Sequence, residues 1–373
     1  MLELSSEDTL RLNVLVNNVE AIRIEERTMT VFGLSARGEA KVILNPTGRP
    51  EQYLKAVREF LSTFALGSPG GYPVHLNRWT RMGQARDTNL DKLLMLGEPE
   101  AVMAVVSAPG LTETLAQRAW WVDPSSENAR RMLTRECVAT STLGQTLAAH
   151  LVEHLPFETE PRMIIDSVRL SLQPDLISDE ARQRLWEKGA SQAGYRVGFL
   201  EADPGNLPQS ASPHPDYEQL RAALAELKTS QNPFATVLDK TLSANGQAFL
   251  DVTSQILQRA SSQEVVVALL NLQSRYFSEV RWMNEPCQDT AHAIAEAAVV
   301  CSRAPEARAL LDITPALLPK LVSLVALGCM DEAIVTPVFA RSTASGSLMR
   351  RKIEPVIKPV LERISILQQP LEG

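Results

Sequence analysis

The chain has 373 residues, 45% of them hydrophobic and 22% charged, an ordinary globular balance that allows two cores or one elongated layered core. A formal charge of −7 excludes a whole-surface role in gripping nucleic acid or anionic lipid and leaves room only for a local basic patch. No run approaches the roughly 18 apolar residues of a membrane span, and the acidic start MLELSSEDTLRLN is unlike a secretory leader, so a cytoplasmic protein is expected.

The four cysteines, Cys137, Cys287, Cys301 and Cys329, are far apart and include no C-x-x-C pair, a spacing that excludes a zinc ribbon and a disulfide framework. Reduced thiols are expected. A first helix over about residues 5–15 is followed by AIRIEERTMTVFGLSARGEAKVILNP, where Ile22, Ile24, Met29, Val31, Ala40, Val42 and Leu44 alternate with polar residues. Period two means strands, and the separators EERT and SARG are short enough for hairpin turns, which predicts a three-stranded antiparallel meander. Pro50 then opens an amphipathic helix with Tyr53, Val57, Phe60, Leu61 and Phe64 on one face.

The next stretch, GSPGGYPVHLNRWTRMGQ, looks at first like a phosphate loop. Pro69 and Pro73 remove two of the N–H donors such a loop needs, and Tyr-Pro stands where Gly-Lys-Ser would be, so a stiff connection is the simpler reading. His75, Arg78, Trp79, Arg81 and Arg86 follow with no acid before Asp87, a local positive patch that is a solvated surface or a dock for an acidic partner, a phosphate or RNA.

From about Asp87 the strand signal ends. Helix-length blocks such as LTETLAQRAWWVDP and SSENARRMLTREC open on Ser or Thr with Glu soon after and stop at Gly or Pro. The expected fold is mainly α, with stacked helical pairs, HEAT-like or in an irregular α-α superhelix, about thirteen helices in all, and a small N-terminal three-stranded antiparallel β meander. Residues 1–84 form the small α+β segment and residues 85–373 the helical body, with a proline-rich surface linker at 202–216.

Two motifs in the helical body bear on chemistry. His150, Glu153 and His154 have the H-x-x-E-H order of inverted zinc peptidases and fall within one arc of a helix, so two imidazoles could share a metal while the carboxylate polarises water. Against a metal stand Pro156 just beyond, the lack of a marked third ligand, and a leucine stripe (Leu143, Leu147, Leu151, Leu155) that leaves both histidines on its flank. In WMNEPCQDTAHAIAEAA, Asn284 can cap a helix with Pro286 and Cys287 in its first turn, where the dipole favours a thiolate nucleophile or persulfide carrier. Glu285 and Asp289 oppose that effect. The acidic clusters and the basic stretch RSTASGSLMRRK, from Arg341 to Lys352, read as solvated surface.

The strings AIRIEERTMTVFGLSARGEAKVILNP, LGSPGGYPVHLNRWTRMGQARD and GEPEAVMAVV resemble the sulfur reduction protein DsrS family, whose genes accompany the reverse-type dissimilatory sulfite reductase cluster of sulfur-oxidising bacteria. The similarity is clearest over residues 1–135. It implies a soluble cytoplasmic protein with an accessory or regulatory place in sulfur oxidation, and it carries no catalytic residues over. With no G-x-S-x-G, P-loop, kinase or Rossmann fingerprint in the chain, the expectation is a non-enzymatic protein without a cofactor that contacts proteins of the sulfur-oxidation machinery and neither membrane nor nucleic acid. A sulfur carrier at Cys287, a zinc-dependent hydrolase at His150 and His154, and an RNA or anion binder using the Arg78 to Arg86 patch are the alternatives, the last leaving nucleic acid open as a partner.

Overall fold

The computed structural model describes residues 4–67, 90–282, 287 and 289–371. It is 68% helical, with twenty α-helices among the described residues and a three-stranded antiparallel sheet at the N-terminus, so the protein is mainly α with an N-terminal meander. The chain divides into two compact units: Met1–Pro156 with Gln173–Ile177, and Phe157–Leu172 with Ser178–Gly373. The division thus falls inside the helical body and not at residue 84.

In the first unit, helix α1 (Ser6–Val16) begins where the Ser5 hydroxyl accepts the Asp8 N–H at 3.1 Å. Asp8 is fully buried, and its Oδ2 accepts from the Tyr53 hydroxyl at 2.6 Å and the Asn45 N–H at 2.9 Å, which ties α1 to the end of the sheet and to α2 (Pro50–Leu66), while its Oδ1 is buried without a hydrogen-bond partner. Strands β1 (Ala21–Glu25), β2 (Thr30–Ser35) and β3 (Gly38–Ile43) pair in chain order with Ile22 opposite Gly33 and Val31 opposite Val42. Those four residues share one face, and α1 lies on it so closely that a Cβ on Gly33 would meet Val19 at 2.7 Å and Leu15 at 2.9 Å. On the other face Arg23 stacks between the rings of Phe32 and Trp121. Helix α2 buries Tyr53, Leu54, Val57 and Leu61 as its spacing predicts, whereas Phe64, expected on the same face, is 44% exposed.

Short helices complete the unit: α3 (Leu90–Leu93), α4 (Pro99–Ser107), α5 (Glu113–Val122), α6 (Ser126–Leu133), α7 (Glu136–Ala139) and α8 (Thr142–His154). Thr112 and Ser125 cap α5 and α6 through their hydroxyls, as their positions before Glu led one to expect.

The second unit holds α9 (Pro161–Ser171), α10 (Asp179–Lys188), α11 (Ala193–Ala202), α12 (Tyr217–Thr229), α13 (Pro233–Leu242), α14 (Ala244–Arg259) and α15 (Gln263–Tyr276). After them come α16 (Thr290–Arg303), α17 (Pro305–Leu311), α18 (Leu318–Cys329), α19 (Thr336–Phe339) and α20 (Gly346–Gln368). At the heart of the unit, every residue of α18 from Lys320 to Cys329 is buried, with α15, α16 and α20 packed around it.

Two corners share one device. Ser141 and Ser243 begin α8 and α14, and Gly144 and Gly246 follow three residues later. A Cβ on Gly246 would lie 2.2 Å from the Lys240 carbonyl oxygen, and one on Gly144 would lie 2.5 Å from that of Ala139. In each corner the new helix therefore starts directly against the last carbonyls of the old one, a contact that only glycine permits.

The stretch from Asp203 to Asp216 has no helix, as its prolines dictate, and it runs along the surface with only His214 buried. His214 is 2% exposed, and its N–H donates to the Leu242 carbonyl at 2.9 Å. The segment packs on the helices of its own unit.

Candidate functional site

The residues singled out in the sequence do not come together. His75, Arg78, Trp79, Arg81 and Arg86 lie outside the described residues. His150 and His154 are stacked on each other, ring centroids 3.9 Å apart, near the end of α8. Parallel stacked imidazoles aim their lone pairs side by side and not at a common point. His154 Nδ1 is 2.9 Å from the His150 carbonyl, His150 Nε2 is 3.3 Å from the Ser126 hydroxyl, and the Trp120 ring meets His150 edge-on. Burial, then the neighbouring His154, push the pKa of His150 below the usual imidazole value, so His150 favours the neutral form. Glu153 is exposed, and among the described residues no group of three His, Cys, Asp or Glu could hold a metal ion.

Cys287 is placed differently from the helix-start expectation. Helix α16 begins at Thr290 with Asp289 as its cap, so Cys287 precedes the helix and lies outside the first-turn N–H groups. It is 3% exposed, and its thiol donates to the Asp289 carbonyl at 3.2 Å. Cys301 and Cys329 are buried in helices, with burial pushing the Cys301 thiol up to about 11, while Cys137 is exposed and donates to the Leu111 carbonyl at 3.5 Å.

The second unit holds a cleft of about 1090 Å³ whose floor is α15. Val267, Ala268, Asn271, Ser274 and Arg275 face it. One wall carries a four-member ion network. Arg162 reaches Asp166 at 2.8 Å and Glu201 at 3.2 Å, and Arg169 reaches the same carboxylates at 3.3 and 3.5 Å. Spacings of three and four residues put Arg162, Asp166 and Arg169 on one face of α9, where Glu201 of α11 meets them. Burial opposes the charge on Arg162, but hydrogen bonding to Asp166 and the Glu201 carboxylate outweigh it and hold its pKa above the ordinary guanidinium value. The opposite wall carries Arg281 bound to Asp331 at 3.3 Å. Arg275 is exposed and, among the described residues, has no ion-pair partner.

Chemically the cleft is a set of oriented, largely neutralised ion pairs around a half-apolar floor. Its carboxylates Glu201 and Asp331 are held on arginines, and the Ser274 hydroxyl donates to the Gly328 carbonyl at 2.6 Å. Such a surface can exchange hydrogen bonds with a polar partner.

Sequence reasoning missed one centre entirely. Lys320, a lone cation in the apolar run LLPKLVSLVALGC, is 2% exposed. Its Nζ lies 2.8 Å from the Ile366 carbonyl, 2.6 Å from that of Gln369 and 3.1 Å from His214 Nε2. The Asp216 N–H donates to His214 Nδ1 at 3.2 Å, so the ring proton sits on Nε2, which is 2.7 Å from the Gln369 carbonyl. Desolvation lowers the Lys320 pKa to about 8 and also lowers that of His214. A neutral amine fits this cage, with two N–H groups donating to carbonyls and the lone pair facing the imidazole N–H. The Leu371 N–H donates to Asp216 at 2.7 Å, and the whole arrangement fastens the end of α20 to α18. The detectable signal was the lysine inside an otherwise apolar helix, but its partners lie 46 and 106 residues away in the chain.

No family model, curated protein or solved structure matches the chain. Among the described residues no helix is long and apolar enough to cross a membrane.

Proposed function

We propose that the protein is a non-enzymatic accessory protein that works through protein contacts, with the α15 cleft of its second unit as a docking surface. The observation that carries this reading is the charge arrangement of the cleft. Arg162, Arg169 and Arg281 are already paired and oriented with Asp166, Glu201 and Asp331, a state suited to exchanging hydrogen bonds with another protein and unsuited to generating a nucleophile or general base, while Glu264 and Arg275 stand exposed in the same lining. The exposed, unpaired Arg275 and the half-buried Phe339 offer a charged and an aromatic anchor, two residue types enriched in interfaces. The resemblance of residues 1–135 to the DsrS family supplies the proposed setting, dissimilatory sulfur oxidation in the cytoplasm, and the proposed partners, proteins of that machinery.

The test is affinity capture of the tagged full chain from source cells grown on reduced sulfur compounds, beside the variants Arg275→Glu and Phe339→Asp. Wild type should enrich enzymes of sulfur oxidation, and both variants should lose them while keeping the wild-type circular dichroism and Tm. Capture of no such enzyme, or equal capture by the variants, refutes the docking role of the cleft.

A further inference from the structure

A second cavity in the same unit, about 400 Å³ and separate from the α15 cleft, lies where the ends of four helices meet: the start of α9, the close of α10, the start of α11 and the close of α14. Its lining includes Arg196 and Arg259 and no aspartate or glutamate. In a chain of net charge −7, two guanidiniums in one pocket without a carboxylate are conspicuous. Elsewhere in this unit the arginines of the α15 cleft wall, Arg162, Arg169 and Arg281, are each held by an acid. Among the described residues neither Arg196 nor Arg259 makes an ion pair, and the buried Nε of Arg196 has no hydrogen-bond partner.

The surroundings show what the pocket would accept. Arg196 lies flat on the buried Trp186 ring, 3.7 Å from its centroid, which fixes the plane of the guanidinium. Burial lowers its pKa from the ordinary guanidinium value, the mark of a cation held out of water without a counter-charge. Ala193 and Gly194, whose N–H groups in the first turn of α11 have no acceptor within their own helix, line the same pocket. They add donors to a site that the two guanidiniums define. Hydroxyls of Thr159 and Ser261 are also in the lining, and the remaining wall is apolar, made by Ile164, Val252, Ile256 and Val265.

We propose that this pocket binds a small amphipathic oxyanion, a phosphate, sulfonate or carboxylate head on a compact apolar body, with the head at Arg196 and Arg259 and the body against the aliphatic wall. The volume lies within the range of small-molecule pockets and exceeds what a bare inorganic anion fills. The inference concerns a different cavity from the docking cleft and stands or falls apart from it.

The experiment is calorimetric titration and thermal unfolding of the full chain with phenyl phosphate, inorganic phosphate and benzyl alcohol, each against sodium chloride of matched ionic strength. Phenyl phosphate should bind and raise Tm, inorganic phosphate should bind more weakly, and benzyl alcohol should do neither. Arg196→Gln and Arg259→Gln should each weaken phenyl phosphate by roughly tenfold or more, as expected for losing one charge-assisted contact. Arg259 is exposed and touches no partner, so its variant reports on binding even if loss of the Trp186 stack unfolds Arg196→Gln. Arg275→Glu, in the other cavity, should bind phenyl phosphate like wild type. A Tm shift no larger than that of matched chloride overturns the site, as does unchanged affinity in Arg259→Gln. Inorganic phosphate binding as tightly as phenyl phosphate overturns the amphipathic class.

Discussion

Lys320 occupies a helix in which every residue from Leu321 to Cys329 is buried, and its amine meets two carbonyls from the end of α20. Replacing it with methionine keeps the volume but leaves the Ile366 and Gln369 carbonyls without that donor, a loss of about 1–3 kcal/mol in chemical denaturation near pH 9. Its lowered pKa also sets a pH dependence. Because the folded value, about 8, lies below the unfolded value of 10.5, the unfolded state holds more protons between them, and stability rises with pH across that window. The gain is about 3 kcal/mol at roughly 1.4 kcal/mol per unit. Denaturation midpoints from pH 7 to 10 should show this rise in wild type and lose it in Lys320→Met. His214 has the same sign at lower pH: its depressed pKa means that stability falls as pH drops through the usual imidazole range, with Lys320 and Asp216 the charged groups facing it. The lysine was legible as an oddity in an apolar run. Its meaning was not, because a long-range cage leaves no local spacing to read.

At the scale of elements, periodicity and caps carried far. The meander, its two turns and the proline-opened α2 follow from period two, short separators and Pro50. The helical region was legible as helix but not as its eighteen described helices, because at two Ser-x-x-Gly corners helices join with almost no loop to mark the join. Cys287 was misplaced for a related reason, since Asp289 and not Asn284 caps α16, and Asp289 had been weighed only as a charge opposing the thiolate. The corners make a sharp prediction. Gly144→Ala and Gly246→Ala each force a methyl into a carbonyl and should cost about 2–4 kcal/mol in urea denaturation. Gly205→Ala, where the nearest atom is a side-chain oxygen at 3.4 Å, should change stability by less than about 0.5 kcal/mol.

At the scale of the whole molecule, the run of helix-length apolar blocks between caps and breakers was enough to state a mainly α chain, but the division into units was out of reach. The second unit takes residues 157–172, and the chain returns to the first for 173–177, an exchange that no composition shift announces. Within the second unit α18 is enclosed on all sides, so amide hydrogen exchange should be slowest there, at Leu321 to Leu327, and should occur only through global opening of that unit. Exchange at α18 as fast as at the exposed α12 would show that the unit opens piecemeal.

The fastening of α20 bears on how the protein is handled. The last turns of the chain are structural parts of the second unit, since Ile366, Gln369 and Leu371 each give a backbone group to the cage. Trimming the C-terminus to remove an untidy tail, or fusing a reporter directly after Leu371 without a spacer, would strip or strain that cage, and the damage would be felt at the centre of the second unit.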